Sequence, residues 1–168
     1  MDYKKLADML FPNVKDISYF ENKYKKRIVK PGEYVTRFAP SPTGYMHIGH
    51  MLQCILDYGI VKQNGGVCIL RVEDTDDKRY VSDALSVIFD TLDFYNIKFD
   101  EGMVAPTTQV GEYAPYIQSE RKEIYQSYVK FLVEKGFAYP CFCTMEEEAQ
   151  MREAQKKELG EHALTGYY

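Results

Sequence analysis

The chain has 168 residues, 45% hydrophobic and 14% aromatic, enough apolar material for one folded core and a length typical of one domain. Its 25 acidic and 21 basic residues give a net charge of −4. That excludes a chain that is basic overall, as a nonspecific nucleic-acid binder would be, and leaves local basic patches open. No long uncharged apolar run exists, and Asp2, Lys4 and Lys5 stand where the apolar part of a leader would lie. These features predict a cytosolic chain with no membrane partner.

In chain order, Tyr3 to Leu10 is amphipathic and reads as a helix stopped by Pro12; Ile17, Phe20 and Tyr24 mark a second, short helix. Lys30-Pro-Gly32 is a linker. Tyr34 to Phe38 (YVTRF) reads as a buried strand, after which Pro40, Pro42 and Gly44 break regular structure. His47 opens a helix running to about Gln63, whose inward face is read as Ile48, Met51, Leu52, Ile55 and Leu56. Gly65-Gly66 end it. Val67 to Glu73 (VCILRVE) reads as a second buried strand. Ser82 caps the next helix, with Leu85, Ile88, Phe89 and Leu92 inward. Ile97 to Phe99 is a candidate third strand, and Met103 to Tyr116 reads as a long loop containing Pro106 and Pro115. Ser119 to about Lys135 is a helix burying Ile124, Tyr128, Phe131 and Leu132, ended by Gly136. Ala138 to Phe142 reads as a strand. Thr144 with Glu147 forms a T-x-x-E capping box that opens a charged last helix. There are no internal repeats. Strands alternating with helices predict an α/β fold with a parallel sheet and helices on its faces.

The chemistry concentrates in Arg37-Phe-Ala-Pro-Ser-Pro-Thr-Gly-Tyr-Met-His-Ile-Gly-His50, a strand-to-helix turn. The first turn of the helix that follows has free backbone N–H groups and the positive end of the helix dipole, a ready site for an anion. His47 and His50, three apart, are neighbours on the helix surface, and each can donate an N–H to a phosphate oxygen. Gly49 between them lets a base or ribose approach the backbone closely. In such a sheet ligands bind beyond the carboxyl ends of the strands, which gathers residues 37–44, the His47 turn and residues 73–76 around one crevice.

The string RFAPSPTG followed by His47-Ile-Gly-His50 resembles the active-site signature of class I aminoacyl-tRNA synthetases, in particular the bacterial-type glutamyl branch. Asn64-Gly-Gly66 leading to Glu73-Asp-Thr-Asp76 resembles the NGG…LRIEDTD segment of that family, with Val72 for Ile, and Tyr116-Ile-Gln-Ser-Glu-Arg121 resembles its YxQSER segment. The likeness runs from about Val35 to the end. It implies the first half of a Rossmann-like catalytic domain over 33–136, the start of an acceptor-stem-binding insertion over 137–168, and a preceding helical extension, 1–32, that only some members have. Complete members are several times longer and carry a KMSKS-type lysine loop. None occurs here, so the chain reads as an N-terminal fragment, inactive by itself.

The resemblance implies glutamate, ATP with Mg²⁺ and tRNA(Glu) as partners, and a monomer. It assigns His47 and His50 to catalysis and Thr43, Gly44, His47, Gly49 and His50 to ATP. Arg37, Ala39, Ser41 and Glu73 fall to the amino acid. The planar fork of Arg37 suits a carboxylate, and Glu73 suits the ammonium, unless the two simply pair with each other. Asp74 fits capping and surface charge as well as it fits a ligand, and Asp76 reads as capping or surface charge. Arg121, Lys122, Lys130, Lys135, Lys156 and Lys157 are candidate phosphate contacts but read better as solvated helix faces.

Cys54 and Cys68 lie on apolar patterns and read as core. Cys141-Phe-Cys143 resembles half of a zinc site in the insertion of some relatives. Zinc takes four ligands; His162, Tyr167 or Tyr168 could add at most a third, so a bare C-x-C pair without metal is the favoured reading. Other classes remain: a glutamyl-queuosine tRNA(Asp) synthetase, disfavoured by Asp74-Thr-Asp76; a small-molecule nucleotidyltransferase, disfavoured by RFAPSPTG; and a truncated, non-catalytic paralogue acting as a binding module.

Overall fold

A computed structural model describes residues 2–76, 78–79 and 81–166. Four strands form one sheet in the order β1-β2-β3-β4: β1 (Tyr34–Phe38), β2 (Gly66–Leu70), β3 (Glu101–Ala105) and β4 (Thr108–Val110). β1, β2 and β3 are parallel, with Arg37 level with Ile69 and Ile69 level with Glu101; β4 returns antiparallel to β3. At Gly102 (φ +102°) a Cβ would lie 1.9 Å from the carbonyl oxygen of Leu70, so only glycine lets β3 close onto β2 there.

Helix α3 (Ile48–Asn64) crosses from β1 to β2, and α4 (Ala84–Phe94) from β2 to β3. The core is Phe38, Leu70, Val72 and Met103 from the strands and the segments that follow them, Met51 and Cys54 from α3, Ile88 and Leu92 from α4, and Ile97. α3 therefore buries the line Met51, Cys54 and Val61, with Tyr58 packed against the core. This corrects the expected inward face: Ile48, Leu52, Ile55 and Leu56 are 49–87% exposed. The helix is apolar on two faces, so periodicity could not choose between them.

Several boundaries differ from the sequence reading. β2 ends at Leu70, and Val72 instead makes a single parallel bridge to Ile117. Gly65 caps α3 while Gly66 already belongs to β2. Asp83, not Ser82, precedes α4, and its side chain makes no capping bond. Ile97 to Phe99 is not a strand: Ile97 is buried in the core and Phe99 packs against it, and the ladder begins at Glu101. The expected loop at 103–116 contains most of the β3–β4 hairpin, turned at Pro106 and Thr107. Ala138 to Phe142 forms no strand; no described segment pairs with it, and Phe137, Tyr139 and Phe142 are 73–86% exposed.

The N-terminal segment folds onto the body. Helices α1 (Tyr3–Leu10) and α2 (Ile17–Lys23) pack on α5 (Lys122–Glu134) and bury Ala7 and Phe20. α5 is entered through a 3₁₀ turn, Ser119–Arg121, and buries Ile124, Ser127 and Val133, whereas Tyr128 and Leu132, expected inside, are 41% and 39% exposed. Buried Ser127 donates its hydroxyl to the carbonyl of Lys15 at 2.6 Å. Asp8 pairs with Lys130 at 2.7 Å, and Lys15 with Glu123 at 2.9 Å. The last helix, α6 (Met145–Leu159), starts at the expected capping box, with Thr144 and Glu147 bonded in both directions.

Candidate active site

The crevice is built where the chain leaves β1 and β2. The loop after β1 is sewn to the segment after β2 by three backbone bonds: Arg71 N–H to Phe38 C=O, Glu73 N–H to Pro40 C=O and Val81 N–H to Pro42 C=O, each 3.0 Å. Pro42 is fully buried and Pro40 buried, which pins the loop, while Ser41 stays exposed between them. The segment after β2 is bonded in turn to 116–119. Val72 N–H donates to Tyr116 C=O and Gln118 N–H to Val72 C=O, and Asp74 accepts from both the N–H and the hydroxyl of Ser119 at 2.9 and 2.6 Å. Thr75 donates to the Gln118 side chain at 3.2 Å. The three strings singled out in the sequence thus meet through Val72, Glu73 and Asp74.

Within this frame the Arg37 guanidinium lies 3.4 Å from the Glu73 carboxylate, both side chains partly solvated. At that exposure the pair stabilises little, and each partner can be recruited by a ligand. Asp74 is a structural cap of the 3₁₀ turn. Asp76 pairs with Arg79, whose side chain holds its carboxyl below the usual carboxylate range. Ala39, Thr43 and Gly44 are half-buried along the loop, and a Cβ on Gly44 would meet nothing within 4 Å.

His47 is not inside the first turn of α3 but is its N-cap. Its Nδ1 accepts from the N–H of Gly49 at 3.1 Å, so the ring proton sits on Nε2, free to donate outward. Gly49 makes this possible: a Cβ there would lie 3.1 Å from the His47 ring. The glycine expected to admit a ligand therefore admits the capping imidazole. His50 stacks against His47 with ring centroids 3.8 Å apart. Burial, and secondarily the neighbouring His47, push the His50 pKa down. The outcome is two stacked imidazoles with N–H donors at the positive end of a 17-residue helix.

Sequence reasoning passed over Asp57. It stands on α3 between buried Cys54 and Val61, its Oδ2 is buried without a partner, and burial raises its pKa against the opposing pull of Arg37. A lone acid in the buried stripe of a helix was the available signal. Arg71 was also missed; it donates to the Tyr125 hydroxyl and ties β2 to α5.

The remaining site residues do not converge. Cys54 and Cys68 are buried thiols, Cys54 with its pKa pushed up by burial to about 12, as inert core. Cys141 and Cys143 are exposed and supply two zinc ligands at most; among the described residues no group of three or more His, Cys, Asp or Glu is placed to hold a metal. His162 is exposed. Tyr167 and Tyr168 lie outside the described residues. Among those described, no helix is long and apolar enough to cross a membrane.

A mostly parallel sheet, with an imidazole pair at the start of the helix after β1 and an Arg–Glu pair across the two strand ends, makes this an α/β domain with one polar crevice at its strand ends. The chain belongs to the class I tRNA synthetase (E and Q) catalytic-domain family, whose model matches residues 33–164. It is 51% identical to the glutamate–tRNA ligase of Acetivibrio thermocellus and 46% identical to that of Clostridium beijerinckii, each over its whole length. It spans only 30% of the length of those relatives. Among solved structures, a glutamate tRNA ligase from Elizabethkingia meningosepticum in complex with its amino acid aligns at 40% identity and a TM-score of 0.65, over 75% of this chain and 24% of that one. A glutamate-tRNA synthetase from Elizabethkingia anophelis aligns at 40% and 0.66, over 75% and 25%.

Proposed function

We propose that this chain is the N-terminal part of a glutamate–tRNA ligase and builds the first half of its adenylate-forming site. The observation that carries the proposal is the stacked His47–His50 pair at the α3 N-terminus, reached by the loop that leaves β1 just after Arg37 and is bonded to the segment bearing Glu73. In the reaction an oxygen of the α-carboxylate of glutamate bonds to the α-phosphorus of ATP, the bond to the bridging oxygen breaks, and pyrophosphate leaves. Negative charge builds on the phosphate oxygens. The Nε2–H of His47, the imidazole of His50 and the N–H groups of the α3 N-terminus are donors held ready for that charge, along the loop at Thr43 and Gly44. Magnesium arrives with ATP and neutralises its phosphates. Arg37 takes a carboxylate of glutamate in a two-bond fork, with Ser41 and the Ala39 backbone beside it. Glu73 exchanges its contact with Arg37 for the substrate ammonium. The glutamyl group then passes to the terminal ribose of tRNA(Glu), in the cytoplasm, with the rest of the polypeptide supplying the lysine loop and most tRNA contacts.

The test is ATP–pyrophosphate exchange with glutamate in the presence of tRNA. The full-length gene product should exchange, and the 168-residue chain alone should not. Robust exchange by the short chain would overturn this account of a half-built site. Charging of tRNA(Asp) instead of tRNA(Glu) would favour the glutamyl-queuosine reading, and no activity at full length would leave a binding module.

A further inference from the structure

The segment before β1 has a charge of the opposite sign to the body. Residues 1–32 hold eight Lys and Arg against four Asp and Glu; the remaining residues hold thirteen against twenty-one. Five of the eight positions 23–30 (KYKKRIVK) are basic and none is acidic. This stretch precedes the catalytic-domain family match, which begins at residue 33.

The stretch is held in place. The Tyr24 hydroxyl donates to Ala114 C=O at 2.7 Å, and the Tyr113 hydroxyl to Lys25 C=O at 2.8 Å. Arg27 pairs with Glu101 at 2.5 Å, both side chains largely buried, and lies over the Tyr113 ring. Tyr24 and Tyr113 stack, with centroids 6.4 Å apart. Arg27 is therefore an anchor, and the two lysines before it, Lys25 and Lys26, are what it presents. Lys25 and Lys26 are exposed, and neither forms an ion pair among the described residues. They line a groove of about 480 Å³ with Lys23, Tyr24, Ile28 and Tyr113, and with one acid, Glu112, on its wall.

We propose that this groove is an RNA-backbone contact, in which Lys25 and Lys26 each meet a phosphate of the bound tRNA. The choice of RNA rests on the function proposed above; the location does not. A concave basic track with aromatic walls suits a phosphodiester chain. The acidic remainder of the chain would repel a polyanion and so directs it to this side. A lipid surface would need a flat apolar patch, and Ile28 and Val29 are the only apolar side chains in the stretch.

The experiment measures tRNA binding by the full-length protein as a function of salt, for the unaltered protein, for Lys25→Ala/Lys26→Ala, and for Lys4→Ala/Lys5→Ala on α1 as a control of equal charge change. The groove variant should weaken binding roughly three- to tenfold and lower the slope of log K against log salt by about 2, one per lost phosphate contact. The α1 control should do neither, and Lys25→Arg/Lys26→Arg should restore binding. Equal losses in both pairs, or no loss in the groove pair while the unaltered protein binds tRNA, would overturn the groove. Loss of binding to anionic vesicles but not to tRNA would overturn it in favour of a membrane. If the unaltered protein binds no tRNA, this proposal and the ligase reading fall together; normal aminoacylation with an inert groove sinks this one alone.

Discussion

At the scale of single residues, the site depends on which hydrogen-bonding geometry each side chain can offer, not on charge alone. Arg37 lies near Glu73, and its field also reaches the half-buried Asp57. A lysine there keeps the charge and loses the planar fork. With a charged hydrogen bond worth about 1.5–3 kcal/mol, Arg37→Lys in the full-length enzyme should raise the glutamate KM roughly ten- to a hundredfold and leave the ATP KM unchanged. Equal losses for both substrates would make Arg37 a structural strut. His50 offers a second check. Its pKa is lowered by burial and by His47, so its ring is neutral at neutral pH and remains neutral below the pH at which an unfolded histidine gains a proton. The sign follows: the stability tied to neutral His50 is fully present above about pH 6.5, the unfolded value, and is lost as pH falls through the lower folded one. An NMR titration of the His50 ring should find a midpoint below about 6.5, and His47→Ala should move that midpoint up by removing the ring that stacks on it and shields it from water. A midpoint above 6.5 would contradict the stacked, partly buried geometry.

At the scale of elements, short polar side chains decide where helices begin. Asp74 caps the 3₁₀ turn at Ser119 with two bonds, and those bonds also join the segment after β2 to the entry of α5. Asp74→Ala should cost about 1–2 kcal/mol of unfolding free energy, the upper range for a lost cap, and the loss should be visible in a urea titration. A change within a few tenths would mean the cap is replaced by water. Thr144→Ala at α6 should act more locally. That helix buries no residue, so the effect should appear as faster amide exchange in its first turn, with the global unfolding midpoint nearly unmoved.

At the scale of the whole molecule, β1 is an end strand of the described sheet, and the apolar side chains Ile48, Leu52, Ile55 and Leu56 of α3 are exposed. An end strand and an exposed apolar helix face are each sites for association. Alone, the 168-residue chain should bind an apolar dye and self-associate with rising concentration, by fluorescence and analytical ultracentrifugation. Leu52→Lys/Ile55→Lys should suppress both without lowering the unfolding midpoint, because neither side chain belongs to the buried core. A monomer that ignores the dye would show that the strip is covered by some rearrangement of the chain itself.

β1, the start of α3, the Thr144 capping box and the strings around His47, Glu73 and Tyr116 are legible in the unfolded chain. Proline, glycine, capping side chains and β-branched runs act locally, over a few residues, and so can be read without a partner. Tertiary structure alone decided which apolar face of α3 went inward, that the third strand lies at Glu101 rather than Ile97, and that Ala138–Phe142 stays unpaired. A strand exists only where another backbone completes its hydrogen bonds, and a helix apolar on two sides is oriented only by the surface it meets. The same holds within the site. Asp74 reaches Ser119, 45 residues away in the chain, only when three segments close around Val72.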